Sequence, residues 1–144
     1  MNVVRLQIPA AAEYLDIVRL NLYGVASKLG FSYEDIEDMK VAVSEACNNA
    51  VLHGEPESGG GQIQISYEAE EDRLIVKVKD SGEGFSYKEV SEQAGPLSGT
   101  TASELKTGGL GIYLMQALMD EVKVVTQNGT EVTLVKYMQA KTTE

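Results

Sequence analysis

Val4, Leu6 and Ile8 alternate with Arg5 and Gln7 ahead of Pro9, which reads as a short strand ended by proline. Leu15, Val18, Leu22, Val25 and Leu29 then recur at helical spacing, and Gly30 stands where a left-handed cap ends a helix. Ser32 is placed as the N-cap of a second helix. Glu34, Asp35, Glu37 and Asp38 fill its first turns, where the helix dipole favours negative charge. This helix is expected to run to about His53, closed by Gly54 and Pro56, with Ile36, Met39, Val43, Ala46, Cys47 and Ala50 on its core face.

Past a Gly-rich turn at 57–61, the period changes from helical to alternating. Ile63, Ile65 and Tyr67 form one strand, Leu74, Val76 and Val78 the next, and the connection at 70–73 makes them a hairpin. Residues 85–107 hold no sustained period and are longer than a usual connection, so they are expected to be a lid or a disordered loop. Gly108-Gly109-Leu110-Gly111 opens a third helix with Ile112, Met115, Leu118 and Met119 on its packed side. Val122 and Val124, then Val132 and Leu134, flank Asn128-Gly129, a strong hairpin signal. The expected fold is a single α+β domain over residues 1–144, a two-layer sandwich whose mixed, mostly antiparallel sheet is covered on one face by helices. The tail from Gln139 is expected to fray.

Composition narrows the setting. With 12 Lys plus Arg against 22 Asp plus Glu, the 144-residue chain carries a net charge of −10. The cations form no run or stripe of the kind that binds phosphate backbones, so no direct nucleic-acid contact is expected. One cysteine, Cys47, leaves no internal disulfide and no cysteine metal cluster; it reads as packing, not as a nucleophile. Without a leader pattern or a long apolar run, a cytoplasmic protein with no membrane association is expected.

Glu45 and Asn49 are not explained by the core face of the second helix. They lie about 40° apart and roughly 110° to 150° from its mean direction, with His53 one further turn along. Alone, such a ridge reads as surface decoration facing water. Asp80-Ser-Gly82-Glu-Gly84 at a strand end is by itself an ordinary turn, since Gly supplies positive φ and Asp bonds its own backbone. Glycines at 108, 109 and 111 expose backbone N–H groups at a helix start, an arrangement that suits an anion. Neither the P-loop pattern nor a dinucleotide fingerprint is present.

Together and in this order, Glu45-Ala-Cys-Asn-Asn49-Ala-Val-Leu-His53, Asp80-Ser-Gly-Glu-Gly84 and Gly108-Gly-Leu-Gly111 resemble the three sequence boxes of the gyrase/Hsp90/histidine-kinase/MutL ATPases. Val43-Ser-Glu-Ala-Cys-Asn-Asn-Ala and Gly109-Leu-Gly-Ile-Tyr-Leu-Met look most similar to the RsbW family of anti-sigma serine-protein kinases. The resemblance spans almost the whole chain and implies a Bergerat-type ATP-binding fold. It implies that Asp80 accepts a hydrogen bond from the adenine amino group, with Gly82 and Gly84 admitting the base. Asn49 would ligate Mg²⁺ otherwise held by phosphate and water, and Gly108, Gly109, Leu110 and Gly111 would cradle the phosphates. Thr130 matches the family's threonine near adenine, or is simply a good strand residue. Glu45 is placed as the base for an attacking hydroxyl, whereas His53 is given no catalytic role. The family's cation before the glycine motif is replaced by Thr107, leaving Lys106 either to meet the γ-phosphate or to be solvated.

The function so implied is an anti-sigma factor that binds an alternative sigma factor and, with Mg-ATP, phosphorylates a serine or threonine of a STAS-type anti-anti-sigma antagonist, as a homodimer. Arg19 reads first as a solvated surface arginine and, as the alternative, as a contact for a partner protein; by analogy, partner contacts are expected at Arg19 and the first helix together with the surface near the lid. One alternative is a nucleotide-gated anti-sigma binding module without kinase activity. A detached histidine-kinase catalytic domain is disfavoured, because the only histidine, His53, lies inside the nucleotide motif.

Overall fold

A computed structural model describes residues 2–53, 61–80, 110–126 and 129–139. Strand β1 (Asn2–Pro9) leads through a short 3-10 helix (Ala12–Tyr14) into helices α1 (Leu15–Leu29) and α2 (Tyr33–His53), followed by the hairpin β2 (Gln62–Ala69) and β3 (Arg73–Asp80). Helix α3 (Leu110–Leu118) and the hairpin β4 (Glu121–Thr126) and β5 (Thr130–Tyr137) complete the described elements.

The helix boundaries follow from their caps. Gly30 adopts φ 93°, a conformation that L side chains resist, and Phe31 N–H returns to the Ala26 carbonyl at 3.2 Å while its ring is buried beneath the turn. Ser32 Oγ then accepts from Asp35 N–H at 3.1 Å, starting α2. At the other end of the layer, Lys136 Nζ donates to the Leu118 carbonyl at 2.8 Å, placing a cation on the negative end of α3.

The strands form one sheet in the order β1-β2-β3-β5-β4, with all four pairings antiparallel. The sheet is therefore at the antiparallel limit of the expected range. The β2–β3 turn closes through Glu70 N–H to the Arg73 carbonyl at 3.0 Å. Ile63, Ile65 and Tyr67 of β2, Leu74, Val76 and Val78 of β3, and Val132 and Leu134 of β5 all point to the helix-covered face and are buried. All six residues expected on the core face of α2 are buried there, joined by Ala42.

Two expectations shift slightly. On α1 the small Ala26 is fully buried, while Val25 and Leu29 are half-buried at the edge of the stripe. On β1 only Ile8 is fully covered; Leu6 is half-buried and Val4 exposed, because an edge strand has a neighbour on one side alone. The fully buried Tyr67 reaches across the layers, its hydroxyl donating to the Val18 carbonyl of α1 at 3.0 Å. This satisfies the one polar atom of a large core side chain.

Candidate nucleotide site

Asp80 is the last residue of β3 and shares the inward face with Leu74, Val76 and Val78. A carboxylate thus ends an apolar row, and it is only 4% exposed. Because β5 inserts between β3 and β4, its first residue, Thr130, lies one step beyond the Lys79–Glu131 pair and beside Asp80. Thr130 N–H donates to Asp80 Oδ1 at 3.3 Å. The Thr130 hydroxyl has no partner among the described residues, although the residue is 1% exposed.

The second cluster lies where α3 crosses α2. Asn49 is 3% exposed and its Nδ2 also lacks a partner among the described residues. Glu45, one turn earlier, is half-buried. The ridge does not face water as a lone helix would predict, because the backbone of α3 covers it at Gly111. A Cβ built on Gly111 would stand 3.0 Å from Glu45 Oε2, 3.6 Å from Glu45 Cβ and 3.5 Å from Asn49 Nδ2. Glu45, Asn49 and Gly111 therefore share one small space.

A buried polar atom without a partner costs roughly 1–3 kcal/mol. Among the described residues, the polar or charged side chains that are buried are Asp35, Asn49, Asp80 and Thr130. Asp35 follows the helix cap, but the other three are sequence-predicted site residues, and two of them carry orphaned atoms. Such a pattern suits a site whose polar atoms a ligand or water completes.

Gly82, Gly84, Gly108 and Gly109 lie outside the described residues, as do Lys106 and the expected lid at 85–107. For Leu110 and His53 only the helical backbone is described. Arg19 is not a free surface cation: its Nε donates to Ser44 Oγ at 2.9 Å and its Nη1 to Asp16 Oδ1 at 2.8 Å. Ser44, immediately before Glu45, is a residue that sequence patterns did not single out; a serine on the polar side of α2 was the available signal. Burial pushes the Cys47 thiol up to about 12, only partly opposed by Arg19, so it stays protonated as a packing group. A hollow of about 450 Å³ on the opposite face of the sheet is lined by Arg5, Gln7, Gln64, Lys77 and Lys79. It lies behind the strands, on the side away from Asp80 and Thr130.

The profile of the histidine kinase-like ATPase domain family matches residues 8–136, a span that includes every residue of both clusters. The chain belongs to this ATPase family. Within it, the chain is 44% identical to the serine-protein kinase RsbW of Bacillus velezensis, over 98% of this chain and 89% of that protein. It is 44% identical to RsbW of Bacillus subtilis strain 168, over 96% and 87% respectively. RsbW of Listeria monocytogenes serotype 4b shares 42% identity over 98% of this chain and 90% of its own. At this identity and coverage the chain is a member of the RsbW serine-protein kinases, and the family uses ATP.

Solved structures agree on the fold. The RsbU and RsbW domains of a Mycobacterium tuberculosis protein superpose with a TM-score of 0.68 at 20% identity, covering 97% of this chain and 34% of that one. The catalytic domain of histidine kinase ThkA superposes with a TM-score of 0.57 at 16% identity, covering 96% and 99%. No helix among the described residues is long and apolar enough to cross a membrane.

Proposed function

We propose that this chain is a cytoplasmic, homodimeric anti-sigma factor that binds an alternative sigma factor and phosphorylates a serine or threonine of a STAS-domain antagonist with Mg-ATP. The observation that carries the reading is the pair of orphaned buried atoms, Asn49 Nδ2 and Thr130 Oγ1, accompanied by the buried Asp80 carboxylate and with Glu45 one turn from Asn49. Asp80 accepts from the adenine amino group, which selects adenine over guanine, and the Thr130 hydroxyl supplies a second contact at the same end of β3 and β5.

Among the described residues no group of three or more His, Cys, Asp and Glu side chains is arranged to hold a metal. Asn49 nevertheless fits a Mg²⁺ shared with phosphate oxygens. Its amide is buried and unpartnered at one end, and a flip of that amide presents Oδ1 in place of Nδ2. When bound, the ion supplies neutralisation of charge developing on the phosphates. Glu45 acts as the base. It takes the proton of the attacking hydroxyl as a bond forms from that oxygen to the γ-phosphorus and the bond to the β–γ bridging oxygen breaks, releasing ADP. Gly82, Gly84 and residues 108–111 are assigned to accommodate the base and the phosphates through their backbone, and Lys106 is the cation nearest to that motif in sequence.

Arg19, fixed by Ser44 and Asp16 on the α1–α2 side, is assigned to the partner surface. Its link to Ser44 connects that surface to the residue preceding Glu45, so partner choice and nucleotide state have a short route by which to influence each other. If ATP favours one partner, that partner favours ATP by the same factor.

The test is retention of partners from source-organism lysate in Mg-ATP and separately in Mg-ADP, with phosphosites read by mass spectrometry. A retained sigma factor and a small STAS protein, phosphorylated with ATP by the unaltered chain but roughly 10²–10⁴-fold more slowly by Glu45→Ala, is the expected result. A sigma factor retained with no phosphorylated antagonist would identify a binding-only module. Retention of neither protein would overturn the proposed partners.

A further inference from the structure

Gly111 is the second residue of α3, and its dihedral angles are not among the positive-φ glycines, which are Gly30 and Gly129 within the described residues. The backbone there does not require glycine. Within a helix, glycine costs roughly 0.5–1 kcal/mol relative to alanine, so its presence needs another reason. Gly24, inside α1, is an internal contrast: a Cβ built on it meets nothing within 4 Å. At Gly111 the built Cβ meets the Glu45 carboxylate oxygen at 3.0 Å, below the roughly 3.5–4.0 Å optimum for non-bonded heavy atoms.

Glu45 also has no hydrogen bond or ion pair among the described residues. Glu45 is half-buried, no donor among the described residues holds its carboxylate, and the missing side chain at Gly111 of α3 leaves the space in which that carboxylate lies. We propose that Gly111 is the positioning residue for the Glu45 carboxylate, setting its orientation by close steric contact, beyond any part it takes in cradling phosphate. This rests on the reading of Glu45 as the base that activates the acceptor hydroxyl. An added methyl group would turn the carboxylate away from the line to the γ-phosphate. A misplacement of about 1 Å at a reacting group costs on the order of 10²-fold in rate.

The experiment is a set of single-turnover phosphorylation rates with Mg-ATP and the STAS-domain antagonist of the same organism, with ADP affinity and melting temperature measured on each variant. Gly111→Ala is expected to lower the rate ten- to hundredfold, change ADP affinity less than about threefold, and leave the melting temperature unchanged or higher. In a Glu45→Gln background the same methyl is expected to cost nothing further, because the orientation of a side chain that cannot take the proton no longer matters. In a Glu45→Asp background its penalty is expected to shrink, because the shorter side chain withdraws its carboxylate from that space. That double variant also serves if Gly111→Ala alone unfolds.

A structural readout separates the contact from the chemistry. In nucleotide-free protein labelled with ¹³C at glutamate carboxyls, the Glu45 signal, assigned by its loss in Glu45→Gln, is expected to move in Gly111→Ala and to stay in Gly24→Ala. An equal rate penalty in the Glu45→Gln background, or a loss of ADP affinity matching the loss of rate, would overturn the proposal and leave Gly111 as a phosphate contact alone. An unmoved Glu45 signal would overturn it as well. A full rate in Glu45→Gln, with the signal still moving in Gly111→Ala, would overturn the base reading instead, so the two failures are distinguishable.

Discussion

Replacing Thr130 with valine separates the stability of the fold from the demands of its ligand. The residue is 1% exposed, its backbone N–H is committed to Asp80, and its hydroxyl is unpartnered among the described residues. Valine has nearly the same shape, suits a strand at least as well, and retains the backbone bond. An orphaned buried hydroxyl costs roughly 1–3 kcal/mol, so taking its low end, Thr130→Val should stabilise the nucleotide-free protein by about 1 kcal/mol. For a domain of this size that raises Tm by roughly 3–5 °C. On the proposed role of Thr130, the same change removes one hydrogen bond to bound nucleotide, worth about 1 kcal/mol, and should weaken binding roughly fivefold. Because ligand stabilisation follows the logarithm of concentration over Kd, that loss offsets the gain once nucleotide is in excess. Thermal melts should therefore be separated without nucleotide and converge in saturating ADP, with calorimetric titration giving the weaker affinity directly. A variant that melts lower than the unaltered chain without nucleotide would show that the hydroxyl already has a partner. Unchanged affinity would remove Thr130 from the site.

Asp80→Asn should weaken adenine nucleotide binding by at least tenfold in calorimetric titration while the circular dichroism spectrum and cooperative melt persist; unchanged affinity would dismantle the assigned adenine end. Alkaline stability should fall, since burial raises the Cys47 thiol to about 12 and the Tyr67 hydroxyl still further, with the charge of Cys47 adding to the latter. The unfolded chain releases these protons first, Cys47 from about pH 9, so the stability they contribute is complete below that pH and declines as pH rises toward the native values. Urea midpoints measured between about pH 8 and 11 should fall progressively, and less steeply in Cys47→Ala; identical slopes would show that Cys47 is not the group responsible.

Local periodicity and capping chemistry determined most of the elements. Five positions of α1 share a stripe, Gly30 and Ser32 punctuate the chain where α1 ends and α2 begins, and alternating apolar residues mark the hairpins, because each of these signals depends only on neighbours within a few residues. The three sequence boxes, read together, also pointed to the ATPase family that the comparison with known proteins bears out. Tertiary structure decided what covers each face. Helical angles placed Glu45 and Asn49 away from the core stripe of α2, yet Asn49 is buried because α3, some sixty residues later, returns to lie across that side. The insertion of β5 beside β3 brings Thr130 to Asp80, fifty positions apart, and leaves a hydroxyl buried without a partner among the described residues. Gly111 likewise reads in sequence as one of the glycines that open the third helix and suit an anion, whereas only the fold shows the Glu45 carboxylate 3.0 Å from where its side chain would begin. Sequence periodicity reports which face a residue occupies; only the packing of distant elements determines whether that face meets water, apolar core or a space left for a ligand.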